Sequence, residues 1–291
     1  VMMNAARLHV GLQGIGLLEA AWQKASAYAA ERRQMRAPGA KDTSLIQDHP
    51  AIRRILHTQR AWIDGGRVLA YHTALQLDVA KHSTDAGERA AAQRWCALVT
   101  PVLKAALTDQ AFHGASACLQ VFGGHGYVRE WGIEQIVRDA RVAMIYEGTN
   151  EIQAIDLLVH KVLADGGQGL ATLLTTLPGA APSPAASARR HALVEITQTL
   201  AIAAQSDPEL PYWVADDYLR AVALVLLEWA WGRIGAASHH RTEPTATSDR
   251  WTPPAQAFAQ WVLPEFDLRT TILRQRIAQA FDFRPKEAAS A

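Results

Sequence analysis

Cysteine is almost absent from this sequence, and its scarcity limits how the fold can be held together. Only Cys96 and Cys118 occur among the 291 residues. Two thiols do not make a disulfide framework, so the sequence predicts a protein of a reducing compartment, with the cytoplasm as its expected location. Metal binding is not expected either, because the 11 histidines are scattered and the pair at 239–240 lacks the spacing of a zinc site.

A charge excess of either sign is also missing. The 29 basic and 28 acidic side chains leave a net charge of +1. A domain that binds nucleic acid usually carries a concentrated basic excess. We therefore expect no nucleic-acid partner for this chain.

Long apolar runs are missing as well. A membrane-spanning helix needs about 20 consecutive apolar residues, and the best candidate, at 221–227, ends at Glu228. No basic stretch followed by an apolar core and a cleavage site opens the chain, so neither a transmembrane segment nor a secretory signal is predicted. The helical pattern begins at the first residue, Val1, which suggests a piece of a longer protein.

What the sequence does contain is helical periodicity. Apolar residues recur at three- and four-residue steps, and no convincing alternation typical of a strand occurs. The predicted fold class is therefore all-α. Helices are predicted at 1–36, 51–81, 89–122, 133–141, 150–163, 193–204, 212–237 and 268–281. Gly65 and Gly66 interrupt the apolar stripe of the second helix, at a cost of about 1 kcal/mol each relative to alanine, and Pro101 is expected to kink or restart the third helix.

Glycine and proline cluster in one stretch, between 164 and 188. This composition is typical of a linker. We therefore predict a helical domain at 1–164, a linker at 165–188, and a second, smaller helical domain at 189–291. Five of the nine tryptophans lie in the last third of the chain, which favours core packing or subunit contact there.

One carboxylate lies where two predicted helices meet. Glu147 is followed by Gly148, which can adopt a positive φ, and by Thr149, which can cap the next helix. This side chain is therefore expected on a tight turn rather than on a solvated helix face. Taken alone, it is more simply a carboxylate that the dipole of the following helix stabilises.

Two further segments are candidates for binding. The glycines at 123, 124 and 126 follow a helix rather than a strand, so they are not a dinucleotide fingerprint. They are more simply a helix C-cap, although adjacent glycines also let a flat ligand approach the backbone. The arginines at 32, 33 and 36, with Arg7, are singly dipole partners or solvated charges; as a cluster they could grip phosphates.

Together, these segments resemble the C-terminal α-helical domain of the acyl-CoA dehydrogenase family. The resemblance rests on Tyr-Glu-Gly-Thr-x-x-Ile-Gln at 146–153, Arg-Asp-Ala at 138–140 and Gln-x-Phe-Gly-Gly-x-Gly at 120–126. It extends over about 1–161 and implies an up-down helical bundle. The segment 37–46, the helix start at 49–50 and the C-terminal unit are most similar to the subgroup that contains 3-methylmercaptopropionyl-CoA dehydrogenase.

The resemblance also implies a function. Family members bind FAD and convert an acyl-CoA to a trans-2-enoyl-CoA, and electrons pass to an electron-transfer flavoprotein. A homodimer or homotetramer is implied as well. The matching positions are Glu147 as the catalytic base; Arg32, Gln120, Gly123, Gly124 and Thr149 as FAD contacts; and Arg7, Tyr146 and Gly148 as substrate contacts.

Three positions depart from the family pattern. Met35 stands where an aromatic residue often faces the flavin, Pro50 replaces a frequent glutamine, and Glu151 adds negative charge beside the expected pyrophosphate. Nothing in the chain resembles the family's N-terminal helical domain or its middle β domain. The alternative hypothesis is therefore a helical oligomerisation or scaffold module that derives from such an enzyme and does not catalyse.

Overall fold

The computed structural model describes residues 2–179, 181–239 and 248–282. Over these ranges the chain is helical and has no strand, which confirms the all-α fold class. The α-helices are α1 (Met2–Glu31), α2 (Pro50–His82), α3 (Ala86–Phe122), α4 (Ile133–Ala143), α5 (Asn150–Ile155), α6 (Gln168–Thr175), α7 (Pro184–Ser206), α8 (Leu210–His239), α9 (Thr252–Ala257) and α10 (Glu265–Asp282). Helices α5 and α9 continue as π-helical segments, Asp156–Val162 and Phe258–Val262.

The first three long helices form an up-down-up bundle. α1 runs parallel to α3, since Asn4 lies beside Thr100 and Gly14 beside Leu107. The two helices are close, because a Cβ atom on Gly14 would lie only 2.8 Å from the Leu107 carbonyl oxygen. α2 runs antiparallel to α3, with Thr73 beside Trp95 and Gln59 beside Gln110. This arrangement brings the N-terminal half of α1 against the middle of α3.

Neither the two glycines of α2 nor the proline of α3 interrupts its helix, so α3 does not restart at Pro101. α2 is continuous through its two glycines, which allow close packing: a Cβ on Gly65 would lie 3.0 Å from Trp231 Nε1, and one on Gly66 would lie 2.8 Å from Leu107 Cδ2. α3 is likewise one helix through Pro101. Long-range packing outweighs the local penalties of these residues, which are about 1 kcal/mol for glycine and about 3 kcal/mol for proline.

The stretch predicted as a linker contains helix α6. Its leucines Leu170, Leu173 and Leu174 are buried in the same apolar cluster as residues of α1–α3 and α8. Residues 168–175 are therefore helical and packed on the core, and the linker at 165–188 stays a prediction. The division of the chain into two domains stays a prediction.

Helix α8 is long and apolar enough to cross a membrane by its length and composition, over Leu210–Ser238. However, 61% of its most apolar window is buried inside the fold. The core helix of a globular protein has the same properties, so this helix is weak evidence for a membrane span. The absence of a transmembrane segment stays a prediction.

Candidate functional site

An open groove of about 380 Å³ lies where the segment after α1 meets the end of α3. Its lining includes Arg32, Gln120, Gly123 and Gly124. The structure therefore brings together four of the five residues that the resemblance assigns to FAD. The fifth, Thr149, lies in the turn before α5.

The backbone at the end of α3 carries two glycines, which have no side chains to cover it. Gly123 ends the helix with φ 59° and ψ −139°, a conformation that residues with a Cβ avoid. Gly124 has no such constraint, and a Cβ built on it would meet no atom within 4 Å. Nothing in the described chain therefore requires glycine at 124, and its backbone is open to a ligand or another chain.

Aromatic rings form one wall of this groove. Tyr28 stacks on Phe122 with ring centroids 4.3 Å apart, and its hydroxyl lies 3.0 Å from His125 Nδ1. His125 in turn stacks on Trp131 at 5.3 Å. Met35, on the segment after α1, also lines the groove and is 74% exposed. His125 and Trp131 were not predicted as site residues, although His125 lies within the glycine stretch at 123–126.

Glu147 lies on a second feature, the turn between α4 and α5. Its φ is 57° and that of Gly148 is 83°. Among the described residues, only Met35 and Glu147 have a positive φ without being glycine. Such backbone costs on the order of 1–3 kcal/mol and persists where its surroundings enforce it, which often happens at functional sites. The predicted tight turn is thus present, and Thr149 Oγ1 caps α5 by accepting the Ile152 N–H at 3.3 Å.

A buried lysine that the sequence analysis missed supports this turn. Lys104, in the middle of α3, has no solvent-exposed surface. Its Nζ donates hydrogen bonds to Gly148 O at 2.8 Å, Asn150 Oδ1 at 2.9 Å and Met144 O at 3.4 Å. Burial lowers the Lys104 pKa to about 8; the negative charge of Glu147 opposes this fall, and Arg7 adds to it. The signal available in the sequence was a lone lysine inside the apolar run 101–107.

Gln153 holds the same turn from the other side. Its side chain is buried, and Nε2 donates to the Glu147 carbonyl oxygen at 3.0 Å. The backbone of Glu147 is therefore fixed by its neighbours, whereas its carboxylate side chain is exposed. Glu147 is not among the residues that line the groove at the end of α3.

The two other predicted substrate contacts beside Gly148 already have partners. Arg7 is buried and donates to Asp156 Oδ2 at 2.7 Å. The Tyr146 hydroxyl donates to Gln13 Oε1. The first contact joins α1 to the π-helical segment after α5, and the second joins the turn to α1.

Carboxylates crowd the start of α5. Partial burial raises the pKa of Glu151, and the negative charges of Asp216 and Asp217 on α8 raise it further. The departure noted in the sequence is therefore reinforced by the fold. A phosphate placed next to Glu151 would meet unfavourable charge.

The first part of the chain matches a family model. Residues 1–160 match the description "Acyl-CoA dehydrogenase, C-terminal domain". Over 170 residues the chain is 44% identical to 3-methylmercaptopropionyl-CoA dehydrogenase of Ruegeria pomeroyi, and this match covers 58% of the chain and 29% of that relative. The identity agrees with the predicted subgroup, and the chain spans under a third of that relative's length.

Two solved structures share the fold over nearly the whole chain. A Bacillus anthracis acyl-CoA dehydrogenase complexed with FAD is 18% identical with a TM-score of 0.68, covering 97% of this chain and 52% of that one. Caenorhabditis elegans ACDH-11 in complex with C11-CoA is 20% identical with a TM-score of 0.69, covering 99% and 48%. Because the family model covers more than half of its residues, the chain belongs to the acyl-CoA dehydrogenase family, with residues 1–160 as the C-terminal domain.

Proposed function

We propose that this chain is the C-terminal part of an FAD-dependent acyl-CoA dehydrogenase that converts an acyl-CoA to a trans-2-enoyl-CoA. The observation that carries the proposal is the Glu147 turn. A carboxylate lies on strained backbone that Lys104 and Gln153 hold in place. The related 3-methylmercaptopropionyl-CoA dehydrogenase and the solved complexes with FAD and with C11-CoA support the same reaction and ligand classes.

In this proposal Glu147 removes the α-proton of the acyl thioester. Its exposed carboxylate becomes desolvated when the acyl chain covers it, which favours proton uptake by the carboxylate. The Glu147 N–H makes no hydrogen bond within the described part of the chain. It is therefore free to donate to the thioester oxygen, where negative charge develops as the proton leaves.

The groove at the end of α3 fits FAD. Arg32 supplies a cationic fork suited to phosphate, Gln120 supplies an amide, and the bare backbone at Gly123 and Gly124 admits a flat group. When bound, FAD supplies the acceptor for the β-hydride. Thr149 is the proposed contact nearer the base, although its hydroxyl already caps α5.

The remaining partners follow from the family resemblance. We propose an electron-transfer flavoprotein as the electron acceptor and a homodimer or homotetramer as the assembly. The scarcity of cysteine supports the cytoplasm as the proposed location. The acyl-CoA class is part of the proposal, whereas the identity and length of the acyl group are not.

Flavin absorbance tests the proposal directly. The purified chain is incubated with FAD, separated from free FAD, and titrated with acyl-CoA thioesters while the flavin band is followed. We expect the band to be retained and then bleached. Glu147→Gln should retain the band and slow bleaching by at least about 100-fold, the scale of general-base catalysis. Glu195→Gln, which changes an exposed carboxylate on α7, is the matched control.

The scaffold hypothesis remains the second candidate, because the Glu147 side chain is exposed and lies outside the groove lining. A chain that stays colourless with FAD and is indifferent to every thioester supports this second candidate. Full bleaching by the Glu147→Gln variant contradicts the role of Glu147 as the base.

A further inference from the structure

Lys104 requires an explanation that packing does not give. Its side chain is completely buried in α3, between Leu103 and Ala105, which are also buried. Lysine is almost never fully buried without partners. A methionine of similar length would fill the same space without the desolvation cost of an ammonium group.

The hydrogen bonds of Lys104 converge on one short stretch of backbone. An ammonium group has three N–H donors, and here each has an acceptor: Met144 O, Gly148 O and Asn150 Oδ1. The first two acceptors lie on either side of Glu147 in the sequence. The lysine therefore fixes the entry and the exit of the Glu147 turn at one point.

The third acceptor is itself held in a single orientation. Asn150 Nδ2 donates to Ala105 O at 3.2 Å, so that Oδ1 faces Lys104 and also accepts the Thr108 hydroxyl at 3.1 Å. Two residues of α3 thus lock the amide that partners the lysine. The start of α5 and the Glu147 turn are joined to α3 through this polar cluster.

Two charged groups act on the Lys104 ammonium. Glu147 on the turn attracts it, and Arg7 on α1, which is paired with Asp156, repels it. Its pKa of about 8 leaves the side chain mostly protonated at neutral pH. The positive charge therefore lies near the carboxylate that the proposed function assigns as the base.

We propose that Lys104 is a positioning residue, which holds the Glu147 turn in its left-handed conformation so that the carboxylate and the Glu147 N–H face the same ligand. The role of Glu147 in this statement rests on the proposed function. The clamp on the backbone does not, since it follows from the contacts alone.

The test compares Lys104→Met with wild type by amide hydrogen exchange at 145–149 in the full chain, with protection corrected for intrinsic rates. The informative amides in this stretch are those of Ile145 and Tyr146, which donate to the Val142 carbonyl oxygen. We expect a loss of protection of at least about tenfold in the variant.

Two further variants separate positioning from general stability. Thr73→Val removes another buried polar group, which donates to Leu69 O at 2.8 Å on α2. It should leave protection at 145–149 unchanged. Asn150→Ala keeps the lysine but removes one acceptor, and should lower protection at 145–149 by a smaller factor than Lys104→Met.

The flavin assay gives the functional readout. Lys104→Met should slow bleaching at least tenfold while the acyl-CoA concentration for half-maximal rate changes less than threefold. Unchanged protection at 145–149 in Lys104→Met overturns the proposal, and so does equal loss in Thr73→Val. Full bleaching by Glu147→Gln defeats the proposed function instead, whatever the exchange data show.

Discussion

The groove at the end of α3 and the Glu147 turn differ in burial: the groove residues are exposed, whereas the residues that support the turn are buried. The groove presents exposed Arg32 and Gln120 beside a glycine whose Cβ position is empty. The turn has strained backbone, which hydrogen bonds from buried Lys104 and Gln153 hold in place. The groove residues contribute little to the fold and are available to a ligand, whereas the turn residues contribute both to stability and to the shape of a site.

The largest effect on stability is expected from the ion pair beside the turn. Arg7→Leu removes the partner of Asp156, whose carboxylate then stays partly buried without its cation. Loss of a buried pair costs about 3–5 kcal/mol, and partial exposure of both groups reduces this to about 2–3 kcal/mol. Urea unfolding measures the loss. Arg7→Leu combined with Asp156→Leu should recover part of it; a larger loss in the double variant would contradict this account.

A matched pair of glycine substitutions compares the two regions directly. Gly148→Ala places a Cβ 2.7 Å from Gln153 Nε2 at a φ of 83°, so we expect about 1–3 kcal/mol of destabilisation. The Cβ that Gly124→Ala adds would meet no atom within 4 Å, so the free energy of unfolding should change by less than about 0.5 kcal/mol. In FAD titrations we expect the opposite order, because Gly124→Ala should weaken FAD binding more than Gly148→Ala does. Equal stability losses would remove the distinction between groove and turn.

Removing the arginine of the groove should affect binding alone. Arg32→Ala is expected to weaken FAD affinity by about tenfold, since a hydrogen bond to a charged group contributes about 1.5–3 kcal/mol. The melting temperature should not change, because this side chain is exposed. Arg94→Ala provides a control on the exposed surface of α3, 26 residues before Gln120 or about 39 Å along the helix. Equal weakening by both variants would indicate non-specific charge attraction.

A separate effect, confined to alkaline solution, is the pH dependence that Lys104 contributes to global stability. Its folded pKa of about 8 lies below the ordinary value of 10.5, so between these values the unfolded chain holds a proton that the folded chain lacks. The free energy of unfolding should therefore rise from pH 8 to 10.5, by less than about 1.4 kcal/mol per pH unit for one proton. Lys104→Met should lack this rise. Identical pH slopes for the two proteins would rule out this titration.

Much of the fold was predictable, because a helix with one apolar face has apolar residues at every third or fourth position. The eight predicted helices all occur, although α7 begins nine residues before its predicted start at 193, and α6 and α9 were not predicted. The first ends at Glu31 rather than Arg36, because Arg33 pairs with Leu45 in an isolated bridge that brings distant residues together. Such a contact has no local signal.

The candidate site was predictable only in part. The Glu-Gly-Thr order indicated the turn, since a glycine and a helix cap follow the carboxylate within two residues. Lys104 was not predictable, because its acceptors lie about 40 residues later and are defined by how the turn folds onto α3. The separation of Glu147 from the groove lining also depends on tertiary structure, and the assigned roles stay predictions.

The indole of Trp231 has a practical consequence. It lies against Gly65 and donates its N–H to the Ala61 carbonyl oxygen at 3.2 Å, so part of α2 is covered by a helix from the last third of the chain. A fragment limited to the region that resembles the family would lack α8, and the apolar surface of α2 that this helix covers would be exposed to water. A minimal fragment for biochemistry should therefore retain α8.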